Sequence, residues 1–126
     1  MQLKDSEGNP LGDGDLVRYY TGSWHDLGTT VAGEASMELL PVTYYFNITH
    51  AFATRQVNQN VATSPTVVFQ TGQVHSAGGT CTKYYSGNFH TFTQDMELLP
   101  GSYPFTFTDF PQTNYIIAAG ETNAIH

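Results

Sequence analysis

Positive charge is scarce in this chain: Lys and Arg number 4 against 11 Asp and Glu, for a formal charge of −7 over 126 residues. Non-specific nucleic-acid binding needs a basic footprint that displaces phosphate counterions, so nucleic acid is not an expected partner. Charge of either sign is thin, at 12% of residues against roughly 25% in ordinary globular domains. Cysteine occurs once, as Cys81. That removes any intramolecular disulfide and any multi-cysteine metal site, and a small buried apolar residue is expected there. No stretch approaches the roughly 20 apolar residues that cross a bilayer, so no membrane insertion is expected. Met1-Gln2-Leu3-Lys4-Asp5 has no basic region followed by an apolar run, so no signal peptide is expected. No window sustains a 3.6-residue apolar period, which argues against helices.

Aromatic residues, by contrast, are plentiful: 8 Tyr, 8 Phe and 1 Trp supply the large side chains of a core and exclude wholesale disorder. They also recur in order. Val17-Arg18-Tyr19-Tyr20-Thr21-Gly22-Ser23-Trp24-His25 returns as Thr82-Lys83-Tyr84-Tyr85-Ser86-Gly87-Asn88-Phe89-His90. Met37-Glu38-Leu39-Leu40-Pro41 returns letter for letter as Met96-Glu97-Leu98-Leu99-Pro100, and Tyr44-x-Phe46-x-Ile48 returns as Tyr103-x-Phe105-x-Phe107. Two ordered blocks of this kind mark an internal duplication. Residues 1–72 read as one module and 73–126 as a second, shortened in its loops as the terminal cap of a repeat array is. No linker separates the copies, and the duplication favours a piece of a longer repeat protein.

Period-two alternation predicts strands near 1–5, 15–21, 24–30, 34–40, 42–49, 54–60 and 65–71 in the first copy. The second copy predicts them near 73–76, 80–86, 89–93, 95–99, 102–108 and 113–119, with a short last strand in 121–126. Tyr44, Phe46 and Ile48 should face one way, as should Tyr103, Phe105 and Phe107. Pro104 has no N–H to give, so its strand should be an edge or turn that position to solvent. Short strands separated by frequent Gly, Pro and Asn turns predict an all-β fold of two tandem antiparallel β-sandwich modules.

Leu3-Lys4-Asp5-Ser6-Glu7-Gly8-Asn9-Pro10-Leu11, followed by Gly33-Glu34 and by Leu39-Leu40-Pro41-x-x-Tyr44-x-Phe46, resembles the prealbumin-like (transthyretin-like) sandwich. The same pattern is similar to the carboxypeptidase regulatory-like and Cna B-type repeats of bacterial extracellular surface proteins. The resemblance covers nearly the whole chain, with Val42 departing from a Gly that Gly101 keeps. It implies a fold and an extracellular or cell-surface location, not a chemistry. Cna B-type repeats often join a lysine to an Asn or Asp with help from a Glu, which the resemblance would map to Lys4 and Glu38. The strand Thr66-Val67-Val68-Phe69-Gln70 supplies no such acceptor, so no crosslink is expected.

Candidate chemistry is sparse. His25, His50, His75, His90 and His126 lack ligand-like spacing, and Asp13-Gly14-Asp15 lacks the register of a calcium loop, so no metal site and no cofactor are expected. Glu38 and Glu97 read as solvent-facing strand residues between inward Met and Leu neighbours. No nucleophile, metalloprotease or phosphate-loop motif is present, and no enzyme is expected. The aromatic hairpins hold more interest. Tyr20, Trp24 and His25, with Tyr85, Phe89 and His90, either pack the sheet and meet a neighbouring module or form a ligand surface, with rings stacking on sugar faces. The expected function is therefore a non-catalytic extracellular repeat that spaces, adheres or self-assembles, with other protein copies as partners. The alternative is a carbohydrate-binding module whose partner is a surface glycan.

Overall fold

A computed structural model describes all of residues 1–126. It contains strands and no helix. In the first half these are β1 (Gln2–Lys4), β2 (Leu16–Tyr20), β3 (Trp24–Thr29), β4 (Thr43–His50), β5 (Ala53–Asn60) and β6 (Val68–Gln70). The second half holds β7 (Gly72–Ser76), β8 (Cys81–Tyr85), β9 (Phe89–Thr91), β10 (Met96–Leu98), β11 (Gly101–Phe107), β12 (Thr113–Ile117) and β13 (Thr122–Ile125). The chain is an all-β sandwich.

The same wiring occurs twice. A four-stranded antiparallel sheet runs β3-β2-β4-β5 in the first half and β9-β8-β11-β12 in the second. Each is backed by a smaller sheet, β1-β6 or β10-β7-β13. Alternation explains why: Tyr44, Phe46 and Ile48, like Tyr103, Phe105 and Phe107, are buried, while their neighbours along β4 and β11 are exposed or half-buried. One core gathers Leu3, Val17, Phe46, Ile48, Val67 and Phe69. The other gathers Val74, Tyr84, Leu98, Tyr103, Phe105 and Ile117. The pairs β1–β6 and β7–β13 are parallel rather than antiparallel, because each half ends by crossing back to lie beside its own first strand.

One expectation from the sequence is corrected. No strand forms over 34–40. The place beside β1 is taken instead by Gly33, Glu34 and Ala35: Leu3 N–H donates to the Gly33 carbonyl at 2.7 Å, and Glu34 bridges Gln2. Met37-Glu38-Leu39-Leu40-Pro41 is thereby displaced outward, while its twin forms β10 against β7. Pro104 is not on an edge, but its position on the β8 side is left out of the ladder. β11 lies inside its sheet, but its ladder with β8 starts at Phe105 opposite Tyr84, whereas Tyr45 of β4 pairs with Tyr20. The missing N–H shortens the ladder instead of expelling the strand.

Candidate functional site

The two aromatic hairpins are built alike. Gly22 and Gly87 hold φ of 75° and 72° in the turns between β2 and β3 and between β8 and β9, a backbone that other residues adopt at a cost. Tyr20 then stands opposite Trp24, edge to face with ring centroids 5.3 Å apart, and Tyr85 opposite Phe89 at 5.1 Å. All four rings sit on the outer face; Trp24 is 38% exposed and Phe89 49%. On the other side of Tyr20 lies Tyr45 of β4, at 6.3 Å, so the first half presents a row of three rings. Pro104 holds the corresponding place beside Tyr85. Arg18 and Asp26 form an exposed ion pair of 3.0 Å on the first sheet, one pleat further along, opposite Asn47.

The histidines alternate away from these rows. His25 lies opposite Tyr19, with centroids 5.4 Å apart, and is exposed. His90 lies opposite Tyr84 at 5.5 Å and is stacked on Phe52 of the first half, 3.8 Å away and 3° from parallel. The six residues singled out from sequence thus divide. Four make two outward aromatic pairs, and two sit at the hairpin ends.

Sequence reasoning missed where those ends lead. The β4–β5 turn of the first half docks on the β8–β9 end of the second. Ala51 and Phe52 hold φ of 48° and 67°, a strained left-handed pair without glycine. Partners in the second half hold it there: the Tyr84 hydroxyl donates to the Ala51 carbonyl at 2.8 Å, and Ser86 Oγ to the Phe52 carbonyl at 2.7 Å. Arg55 donates through Nε to the Pro100 carbonyl and through Nη2 to the Tyr103 hydroxyl at 3.2 Å, with its guanidinium carbon 5.4 Å from that ring's centre. Burial raises the phenols of Tyr84 and Tyr103 above their ordinary value of 10, with Arg55 opposing the rise at Tyr103.

Apolar side chains cross the same seam in both directions. Leu99 joins the core of the first half, and Ala53 joins the core of the second. Glu97, expected to face solvent, is covered because the far face of β10 meets the first half rather than water. Its Oε1 accepts from Ser6 N–H at 2.8 Å and from Ser6 Oγ at 2.7 Å. His50 bridges to the Glu97 carbonyl at 3.1 Å and to Asp15 at 3.0 Å. Sequence held no signal for this seam, since the identical pair Leu39-Leu40 leaves Leu40 75% exposed.

The remaining candidates stay apart. Asp13 accepts from Ala32 N–H at 2.6 Å while Asp15 is engaged by His50, so the two loop carboxylates serve different partners. Glu38 is exposed. His75 meets Asp95 at 2.6 Å, and His126 stacks on Phe110 with centroids 4.4 Å apart. Cys81 is half-buried rather than buried, and desolvation pushes its thiol up to about 11, away from nucleophilic use at neutral pH.

Comparison with family models, with curated proteins and with solved structures finds no match.

Proposed function

We propose that this chain is a non-catalytic structural and adhesive repeat unit of an extracellular surface protein, a stiff spacer made of modules 1–72 and 73–126 locked end to end. The exchange of core residues across the seam carries this reading. A flexible tether would leave each half to close its own core, whereas here Leu99 and Ala53 each complete the other half's. Hydrogen bonds from Tyr84, Ser86, Arg55 and Ser6 fix the angle between the halves. Scanning calorimetry tests it. One transition is expected, with equal calorimetric and van't Hoff enthalpies, because neither core is whole without the other half. Two resolved transitions would leave the halves independent and remove the spacer argument.

A second reading, carbohydrate binding, is favoured by one observation: the outer rings take no part in the seam. Tyr85 and Phe89 stay exposed even though His90 and Tyr84 beside them are engaged. The row Trp24, Tyr20 and Tyr45 offers π faces next to the polar groups of Arg18, Asp26 and Asn47, a chemistry suited to sugar rings and hydroxyls. Trp24→Ala should cost only about 0.5–1.5 kcal/mol of stability, the worth of an edge-to-face pair, while abolishing any glycan-array signal. A loss of about 3–5 kcal/mol, the range for a buried aromatic, would make the row structural and end this reading.

A further inference from the structure

The receptor that the second half uses for the tip Ala51–Ala53 exists a second time, open, in the first half. Tyr19 and Tyr44 meet edge to face at 6.0 Å and 90°, as Tyr84 and Tyr103 do at 6.3 Å and 80°. His25 stands to Tyr19 as His90 stands to Tyr84, at 5.4 and 5.5 Å. Thr21 matches Ser86 in the repeat. In the second half every one of these polar groups is engaged across the seam. The hydroxyls of Tyr19 and Tyr44 bond to nothing in the chain, and no ring stacks on His25. The twin leucines repeat the contrast: Leu99 is 0% exposed inside the other half's core, and Leu40 is 75% exposed. Met37 and Val42 beside it are exposed as well, and a cleft of about 410 Å³ lined by Leu27, Leu39, Phe46 and Val67 opens along the segment.

We propose that this open end is a docking site for the β-hairpin tip of another module of the same kind, one carrying a small-aromatic-small turn like Ala51-Phe52-Ala53. Each feature of that turn has a waiting partner. The first carbonyl accepts from Tyr19, the next from Thr21, and the aromatic ring stacks on His25. Val42 stands where Gly101 leaves room for Arg55, so no arginine is seated beside Tyr44. Leu40 closes on the apolar side of the incoming hairpin, as Leu99 closes on the cluster that holds Ile48 and Val57. Such a contact joins two different surfaces head to tail, so it propagates along one axis instead of closing a symmetric dimer. The proposal rests on the spacer reading and extends it to the neighbour that the spacer would meet.

The test uses the whole chain and a disulfide-cyclised hairpin peptide of residues Asn47–Gln59, its hairpin verified by cross-strand NOEs before titration. Trp24 is the only tryptophan, and it sits in the β2–β3 hairpin of the open end, so its indole resonance reports this site alone. Saturable shifts of that resonance with a Kd tighter than about 1 mM are expected. The peptide is made with Arg55→Ala, and Tyr19→Phe in the chain should weaken its binding about fivefold, the loss of one hydrogen bond. Leu40→Asp, at an exposed position that leaves the fold intact, should abolish it. Absence of a saturable shift, or binding indifferent to Leu40→Asp, would overturn the proposal. If that occurred while calorimetry still gave one transition, the spacer reading would stand and only the docking site would be lost. Self-association of the chain that both Leu40→Asp and Phe110→Ala abolish would replace that hairpin by the Phe110 turn of a second copy, again overturning the occupant named here.

Discussion

Leu99→Ala is expected to destabilise the protein by about 2–5 kcal/mol, the range for truncating a leucine in a closed core, and Leu40→Ala by no more than about 0.5 kcal/mol, as for a surface site. The two residues sit in the same pentapeptide, Met-Glu-Leu-Leu-Pro, so residue type and local sequence are matched and only the surroundings differ. Leu99 is fully buried among Leu3, Val17, Phe46 and Ile48, which lie in the other half of the chain. Its removal opens a cavity in a core to which its own strand does not belong. Urea unfolding followed by Trp24 fluorescence reads the first half directly, because Trp24 lies on β3. A drop in the midpoint at constant slope shows lost stability without a change in the surface exposed on unfolding. Equal effects of the two substitutions would mean that the seam contributes nothing to folding.

Much of this architecture is legible before any coordinates. Inward Tyr44, Phe46 and Ile48 and their counterparts Tyr103, Phe105 and Phe107 define the central strands by alternation alone, and the Gly22 and Gly87 turns define the hairpins. The displaced segment at 34–40 shows the limit. An identical pentapeptide makes a strand in one half and an exposed loop in the other. In the first half the Gly33–Ala35 backbone already fills the place beside β1, and a backbone donor or acceptor can be satisfied by either segment. Local sequence carries no record of which competitor arrives. The same holds for the outward row. Tyr20 and Trp24 are found from their hairpin, but Tyr45 joins them only because β4 pairs with β2 in that register, a long-range fact. Glu97 was misplaced for a related reason: alternation tells which face of β10 it occupies, and not that the first half covers that face. A rule of inside and outside holds for one sandwich in water. It fails where two sandwiches meet.

Arg55 and Gly101 offer the sharpest measurement of that meeting. Arg55→Ala should cost about 1.5–3 kcal/mol, since it removes charge-assisted bonds and leaves the half-buried Pro100 carbonyl without them. Gly101 carries φ of 146°, and a Cβ there would overlap the Arg55 guanidinium. Gly101→Ala should therefore cost about 1–3 kcal/mol from the backbone alone, with the loss of the Arg55 contacts added as the side chain is driven off. The first half has Val42 at the matching position, which fits an end where no arginine is seated. Once Arg55 is gone, Gly101→Ala has nothing left to displace. The double variant should fall short of the summed single effects by about 0.5–3 kcal/mol, the coupling expected of groups in contact. Strict additivity in that cycle would mean that Arg55 reorients freely around a new side chain. The glycine would then be a matter of local backbone, and the rigidity between the halves would have to come from the other seam contacts, among them Leu99, Ala53, Ser6, Tyr84 and Ser86.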